Sequence, residues 1–448
     1  MPNIPRRRPF AHQNQSIISR RNVLKGALLG AGAVAFPGVL AACGDDDGDG
    51  GGGGGDASGE LEVFSWWTGG GEEAGLNEMI AIWENEHPDV EFVNAAVAGG
   101  AGSNAMAVLT QRLGAGDPPD SFQGHAGAEL ADYINAQQLE AVNFIYEEEG
   151  FTDVFPQQLV DQITVDGNIY SVPVNIHRAN MLWFNPGLLQ QAGLSAPPET
   201  MDAFVAALEA AQGTGKIALA LAEQWTTMHL LETVMLAELG AEDWTALWTP
   251  DGDWGSDSVT AGLERYAQIL GFVNEDFSSL TWQDAAKLVT DGEAVFNVMG
   301  DWAAGYFTVD LALEPETGFG FAPVPGTDGV YQWLSDSFTL PDGAPNRDAA
   351  IEWLRLCGSL EGQDAFNPKK GSIPARDDAD RAKYGPYLLY ALDEWQSNEL
   401  AGSLAHGVVA SNAWKTAIDT ALGLFLGDRA VETFQQGLVD AHDANAPS

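Results

Sequence analysis

Two stretches of this chain set tryptophan beside carboxylates and glycines, where a purely structural core would rather carry leucine. One is Trp66-Trp67-Thr68-Gly69-Gly70-Gly71-Glu72-Glu73 and the other is Met299-Gly300-Asp301-Trp302-Ala303-Ala304-Gly305, in a chain with 14 Trp. An indole offers a flat apolar face, and Asp, Glu, Lys, His and Gln offer charged or bidentate hydrogen bonds. That mixture suits a ring that is apolar on its C–H face and rimmed with hydroxyls, so reversible capture of a carbohydrate is the chemistry these residues could do. Taken singly, each tryptophan reads first as core.

Enzyme motifs are few and incomplete. Gly100-Ala101-Gly102-Ser103-Asn104-Ala105 matches the G-x-G-x-x-A dinucleotide fingerprint and lies between a strand-like and a helix-like segment. It follows the second strand instead of opening the sheet, and Gly116–Asp120 stands where the ribose-binding acid should end the next strand. Gly213-Thr214-Gly215-Lys216-Ile217 fails as a P-loop because Ile217 replaces the metal-binding Ser or Thr. G-x-S-x-G, H-E-x-x-H and paired C-x-x-C do not occur. The expectation is therefore a protein with no cofactor, no metal and no catalytic residue.

The elements that would position these side chains read as α/β. Leu61–Trp67 is a short apolar strand, followed by a helix with the stripe Leu76, Met79, Ile80 and Trp83 that stops at His87-Pro88. Val90–Val97 is a second strand, a helix follows around Asn104–Leu113, and Ser121–His125 ends a third strand. Such alternation predicts mainly parallel sheets. After Tyr170–Val174 the pattern turns to helices at Met201–Gln212, Trp225–Leu239, Val259–Gly271 and Trp282–Thr290. Ala294–Met299 and Tyr331–Phe338 read as strands, and the chain from about Lys383 reads as almost wholly helical. No internal repeat occurs.

The N-terminus places this body outside the cytoplasm. Ser19-Arg20-Arg21-Asn22-Val23-Leu24-Lys25, the apolar run Gly26–Ala42 and Leu40-Ala41-Ala42-Cys43 read as a twin-arginine export signal, residues 1–42, ending in a lipobox. Pro37 and several glycines within the run argue against a permanent transmembrane helix. Lipid on Cys43 would anchor the mature chain, each buried methylene contributing about 0.8 kcal/mol. Gly44–Gly59 holds nine Gly and five Asp, so residues 43–59 form a lipidated tether of roughly 20–24 Å reach. All six basic residues before Cys43 leave with the signal, so fourteen basic residues face 64 acidic ones at a net charge of −50. That surface repels nucleic acid and anionic headgroups. It fits a salt-adapted host and an ordinary acidic exported protein alike. Cys357 is then the one remaining cysteine, which forbids an intrachain disulfide, and its spacing with Ala350, Trp353 and Leu354 makes it core. About 390 residues beyond the tether exceed one compact core, so two lobes are expected.

Several segments together carry a family resemblance. They are Leu61–Trp67, Asn94 through Asn104, Pro118-Pro119-Asp120-Ser121-Phe122-Gln123-Gly124-His125, Val172-Pro173-Val174-Asn175-Ile176-His177-Arg178, Phe296 through Gly305, Leu334-Ser335-Asp336-Ser337-Phe338, and Ala349–Arg376 with Gly371-Ser372-Ile373-Pro374. In this order they resemble the extracellular solute-binding proteins, family 1, of sugar ABC importers, and are most similar to the glucose and mannose binders.

The resemblance implies a two-lobed periplasmic-binding-protein clamp, each lobe a mainly parallel sheet flanked by helices. Residues 60–175 and 337–374 would make the N-terminal lobe, and residues 176–336 and 375–448 the C-terminal lobe. The chain would cross three times, near Pro173–His177, Leu334–Ser337 and Ser372–Arg376. Carried over residue by residue, Trp67 would stack the sugar from the first lobe, with Trp302 and Trp282 opposite. Glu72 or Glu73, Gln123, His125, Asp336, Lys370 and His406 would clamp hydroxyls, and His177 beside the first crossing is a further candidate. The implied function is a lipid-anchored monomeric receptor that captures a monosaccharide, glucose or else mannose or galactose, for an ABC importer permease. The alternatives are an exported glycoside hydrolase, whose paired carboxyls would stand about 5–10 Å apart across a sugar bond, and a binder of another polyol or disaccharide.

Overall fold

Leu61, Val63 and Phe64 are buried in the strand Gly59–Phe64, which is the spine of the first sheet. The computed structural model describes residues 59–99 and 102–447, all within one compact unit. Arg20, Arg21, Cys43, the tether up to Ser58, and Gly100-Ala101 of the glycine motif lie outside the described residues. The Gly59–Phe64 strand pairs in parallel with Val90–Asn94 on one side and with Ser121–His125 on the other. Asp336–Thr339 then pairs antiparallel with both Ser121–His125 and Ser171–Pro173, completing a five-stranded sheet.

Helix Gly70–Glu86 buries Leu76, Met79 and Trp83 beneath this sheet and lies along helix Leu360–Lys370. The two helices approach so closely that a Cβ on Gly71 would sit 2.3 Å from the Lys369 carbonyl oxygen, which only glycine permits. Helix Arg347–Gly358 carries Cys357 fully buried with Ala350, Trp353 and Leu354, as its spacing predicts.

A second, four-stranded sheet runs Gly320–Pro323, Met181–Phe184, Ala294–Val298, Ile217–Ala220, the last pair parallel and the others antiparallel. Helices Met201–Gln212, Gln224–Ala246 and Asp257–Ile269 contribute to its apolar cluster. Both sheets are thus mixed where mainly parallel ones were expected, because Asp336–Thr339 and Met181–Phe184 arrive from crossing segments and run against their neighbours. A three-stranded sheet is ordered Glu399–Gly402, Val330–Leu334, His177–Arg178.

Three expected elements differ in detail. Tyr331–Phe338 reads as one strand, yet it is two strands in two sheets, parted at Ser335. The C-terminal region has helices at Pro386–Ser397, Asn412–Asp428 and Val431–Asn445, but strand Glu399–Gly402 interrupts them. Gly240, at φ 81° and ψ 167°, breaks Gln224–Ala246 next to the expected end at Leu239. The chain passes from the five-stranded sheet to the three-stranded one between Pro173 and His177 and returns across Ser335. Ile373 forms a bridge with Ile176, so a later segment runs beside the first passage. Among the described residues no helix is long and apolar enough to cross a membrane.

Candidate ligand-binding site

The passages between sheets meet at Asp336, the first residue of its strand and 3 % exposed. Gln123 Nε2 donates to Asp336 Oδ1 at 2.9 Å, and Asn175 Nδ2 donates to Oδ2 at 2.8 Å. The Asp336 backbone N–H in turn donates to Asn175 Oδ1 at 2.8 Å. Charge-assisted bonds of this kind fix the carboxylate in place while leaving acceptor capacity for a further donor. Gln123 also accepts the Trp66 backbone N–H at 3.2 Å, so the same amide ties the strand end to Asp336.

Around Asp336 opens a cavity of about 210 Å³. Its lining brings together Glu72, His125, His177, Trp282, Trp302, Asp336, Lys370 and His406 of the residues anticipated from sequence. Gln123 is buried one layer behind, on Asp336 and Trp66. Glu73 is exposed on helix Gly70–Glu86, whereas Glu72 faces the cavity, which separates the two candidates. Trp67 is placed elsewhere than its stacking assignment: it is fully buried against Phe338 and Phe366, and Trp66 occupies the cavity wall. Adjacent residues leaving a strand point to opposite sides, so only one of the pair can face the cavity. Glu223 and Trp225, at the start of helix Gln224–Ala246, also line it and went unnoticed; the Trp225 indole donates to Glu223 Oε1 at 3.0 Å. Trp225 opens a helix, and its local pattern is that of an amphipathic core position.

Lys370, 3 % exposed, donates to Glu72 Oε1 at 2.7 Å, with its ammonium 5.8 Å from the Trp67 ring centre. Burial raises the Glu72 carboxyl above its ordinary value despite the opposing pull of Lys370. On the other side, the His125 Nδ1 and backbone N–H both donate to Glu129, at 2.8 and 3.1 Å. Burial would raise Glu129, but the contacts from His125 outweigh it and hold that carboxyl below its usual range. His177 Nδ1 bonds Asp301; burial drives this imidazole well down and this carboxyl well up, so the pair is held without net charge.

Trp302 forms the opposing apolar wall. Its ring stands edge-on to His177 at 5.4 Å and tilts against His406 at 5.0 Å. The indole folds back over Gly300, where a Cβ would lie 2.0 Å from it. Trp282 sits at the first position of helix Trp282–Thr290, which a reciprocal capping box between Thr281 and Asp284 fixes. The site thus offers indole faces, a carboxylate acceptor clamped by two amides, an ion pair, and imidazoles. It is equipped to hold a small polyhydroxylated ring.

The family model of the bacterial extracellular solute-binding proteins matches residues 47–364. An uncharacterized ABC transporter extracellular-binding protein of Pyrococcus horikoshii is 32% identical over 89% of this chain and 90% of its own. The xylose/arabinose-binding protein XacG of Haloferax volcanii is 30% identical over 85% of this chain and 84% of its own. Among solved structures, the bacterial solute receptor AcbH, described with an exclusive preference for β-D-galactopyranose, superposes with a TM-score of 0.75 over 86% of this chain and 98% of its own at 18% identity.

Proposed function

We propose that this chain, which belongs to the bacterial extracellular solute-binding proteins, captures one monosaccharide and hands it to the permease of an ABC importer. Members of this family bind solutes and are not enzymes, so the glycoside hydrolase alternative falls away. The observation that carries the reading is the cavity around Asp336, in which Trp66 and Trp302 supply apolar faces and Asp336, Glu72 and Lys370 supply polar contacts. At about 210 Å³ it is smaller than the roughly 300–1,000 Å³ of sites for drug-sized ligands. That cavity has room for one sugar ring, a second pocket of about 480 Å³ shares Glu223 and Trp225 with it, and XacG is a relative named for xylose and arabinose. Glucose is the ligand of first choice, with mannose and galactose next.

In this reading Asp336, His125, His177, Lys370, Glu72 and His406 hold hydroxyls, and Trp66, Trp302 and Trp282 hold the ring. Residues 60–175 with 337–374 and residues 176–336 with 375–448 act as the two jaws of a hinge. The receptor works as a monomer, exported through its Arg20-Arg21 signal and tethered by lipid on Cys43. Thermal unfolding with a panel of sugars tests the function. A ligand at 100 times its Kd adds about 2.7 kcal/mol, so glucose should raise the Tm by several degrees. A panel in which no monosaccharide shifts the Tm, while a disaccharide or polyol does, would replace the monosaccharide reading.

A further inference from the structure

Behind the Trp302 wall, three buried side chains converge that recognition of a sugar ring does not require together. We propose that His229, Glu232 and His406 bind one divalent transition metal ion of the zinc class. His229 and Glu232 lie one turn apart on helix Gln224–Ala246 and so share a face, and His406 comes from the turn after strand Glu399–Gly402. One ligand atom from each lies within 4.8 Å of the others. His229 and Glu232 are fully buried and His406 is 3 % exposed.

The independent sign of a ligand is His229. Neither of its ring nitrogens makes a hydrogen bond of full geometry among the described residues, with only the Ala179 backbone and Glu232 Oε1 close by, and His406 Nε2 makes none either. Buried polar groups are rarely left so, and a fully enclosed imidazole without partners is poor core material. His229 Nδ1 stands 3.4 Å and His406 Nδ1 3.9 Å from Glu232 Oε1. Zinc bonds of about 2.0–2.1 Å place tetrahedral donors about 3.3 Å apart, so the first pair already fits, the second must close by about half an ångström, and the two histidines, within 4.8 Å of each other, by up to about 1.5 Å. Glu232 is held in a suitable orientation, because its Oε2 accepts the backbone N–H groups of Leu404 at 2.5 Å and Ala405 at 2.9 Å, which leaves Oε1 toward the histidines. Two imidazoles and one carboxylate suit zinc and its neighbours better than magnesium or calcium, and three protein ligands leave a fourth position open. His406 lines the cavity, which gives the ion its way in.

Ser403 Oγ donates to Glu232 Oε1 at 2.9 Å and lies 3.0 Å from His406 Nδ1, contacts that the ion would replace in part. The metal site does not depend on the monosaccharide reading.

The test uses the full chain, stripped with a chelator, dialysed and titrated without sugar. Zn²⁺ followed by calorimetry should bind at one ion per chain, and Co²⁺ should give the visible absorption of a four-coordinate site. His229→Gln and Glu232→Gln should each weaken Zn²⁺ at least a hundredfold, while His87→Gln, a histidine stacked on Trp83 elsewhere, leaves it unchanged. Each variant is first melted in chelator; should His229→Gln not fold, His406→Gln carries the same test. Absence of stoichiometric Zn²⁺ or Co²⁺ binding by the wild type, or equal binding by the folded variants, overturns the proposal.

Discussion

The Lys370 ammonium and the Glu72 carboxylate, 298 residues apart in the chain, meet at 2.7 Å on the rim of the cavity. Helices Gly70–Glu86 and Leu360–Lys370 bring them together, and glycine at position 71 permits the approach. Because burial outweighs the ion pair at Glu72, this relationship has a pH signature.

Glu72 has a folded-state pKa above its ordinary 4.5, so over the window between these two values the folded chain holds a proton that the unfolded chain has released. Stability contributed by this group therefore falls as pH rises through that window. Urea unfolding of the unliganded protein from pH 4 to 8 should show the wild type losing stability relative to Glu72→Gln as pH increases. A constant difference across the range would remove the assignment.

Trp66 and Trp67 should separate binding from folding. Trp66→Ala is expected to weaken the sugar about ten- to a hundredfold, the loss of roughly 1.4–2.8 kcal/mol of contact, with the Tm nearly kept. Trp67→Ala empties a site packed by Phe338 and Phe366 and should destabilise by about 3–5 kcal/mol. Calorimetry paired with denaturant unfolding checks both, and the opposite pattern would exchange the two roles.

Gly305 packs against the end of helix Leu360–Lys370, where an added Cβ would lie 2.5 Å from the Lys370 carbonyl oxygen. Gly305→Val should wedge the two sides apart, enlarge the molecule in small-angle scattering and cost most of the sugar affinity. Gly69 has nothing within 4 Å of its Cβ position, so Gly69→Val serves as the matched control. Equal radii of gyration for the two variants would show that the contact at Gly305 does not govern the opening.

Cys43→Ala should prevent lipid attachment and shift the protein from the membrane fraction to precursor or soluble material. Fractionation with intact mass measurement decides it; a membrane-bound variant of normal mature mass would set the lipobox aside.

The α/β alternation and most element boundaries were legible in the sequence because they rest on local periodicity. Met201–Gln212 and Trp282–Thr290 coincide with their apolar stripes and caps. The break at Ser335 was not legible in the local pattern, since no Gly or Pro marks it, and only the resemblance put a crossing near Leu334–Ser337. It comes from distant partners: Ala126 N–H donates to the Ser335 carbonyl at 2.8 Å, and the next N–H goes to Asn175. Strand Glu399–Gly402 was hidden for a related reason, because Glu-Leu-Ala has helical propensity and becomes extended only by pairing with Val330–Leu334. In the site, the charged residues followed from the resemblance. Whether Trp66 or Trp67 faces the cavity depends on how the chain leaves its strand, which neighbouring tryptophans cannot reveal.

Ser335 alone separates a strand of one sheet from a strand of another, and Asp336 follows it at once. If one side swings against the other, the dihedrals beside Ser335 lie on the axis of that swing, and a point on an axis does not travel. The carboxylate of Asp336, clamped by Gln123 and Asn175 and tied through Gln123 to Trp66, would then stay put while Trp302, farther out on its lever, would sweep inward. On that geometry a sugar would be moored by its hydroxyls to a stationary post and gripped by a moving indole, so the polar contact would govern arrival and the aromatic contact how long the cargo stays.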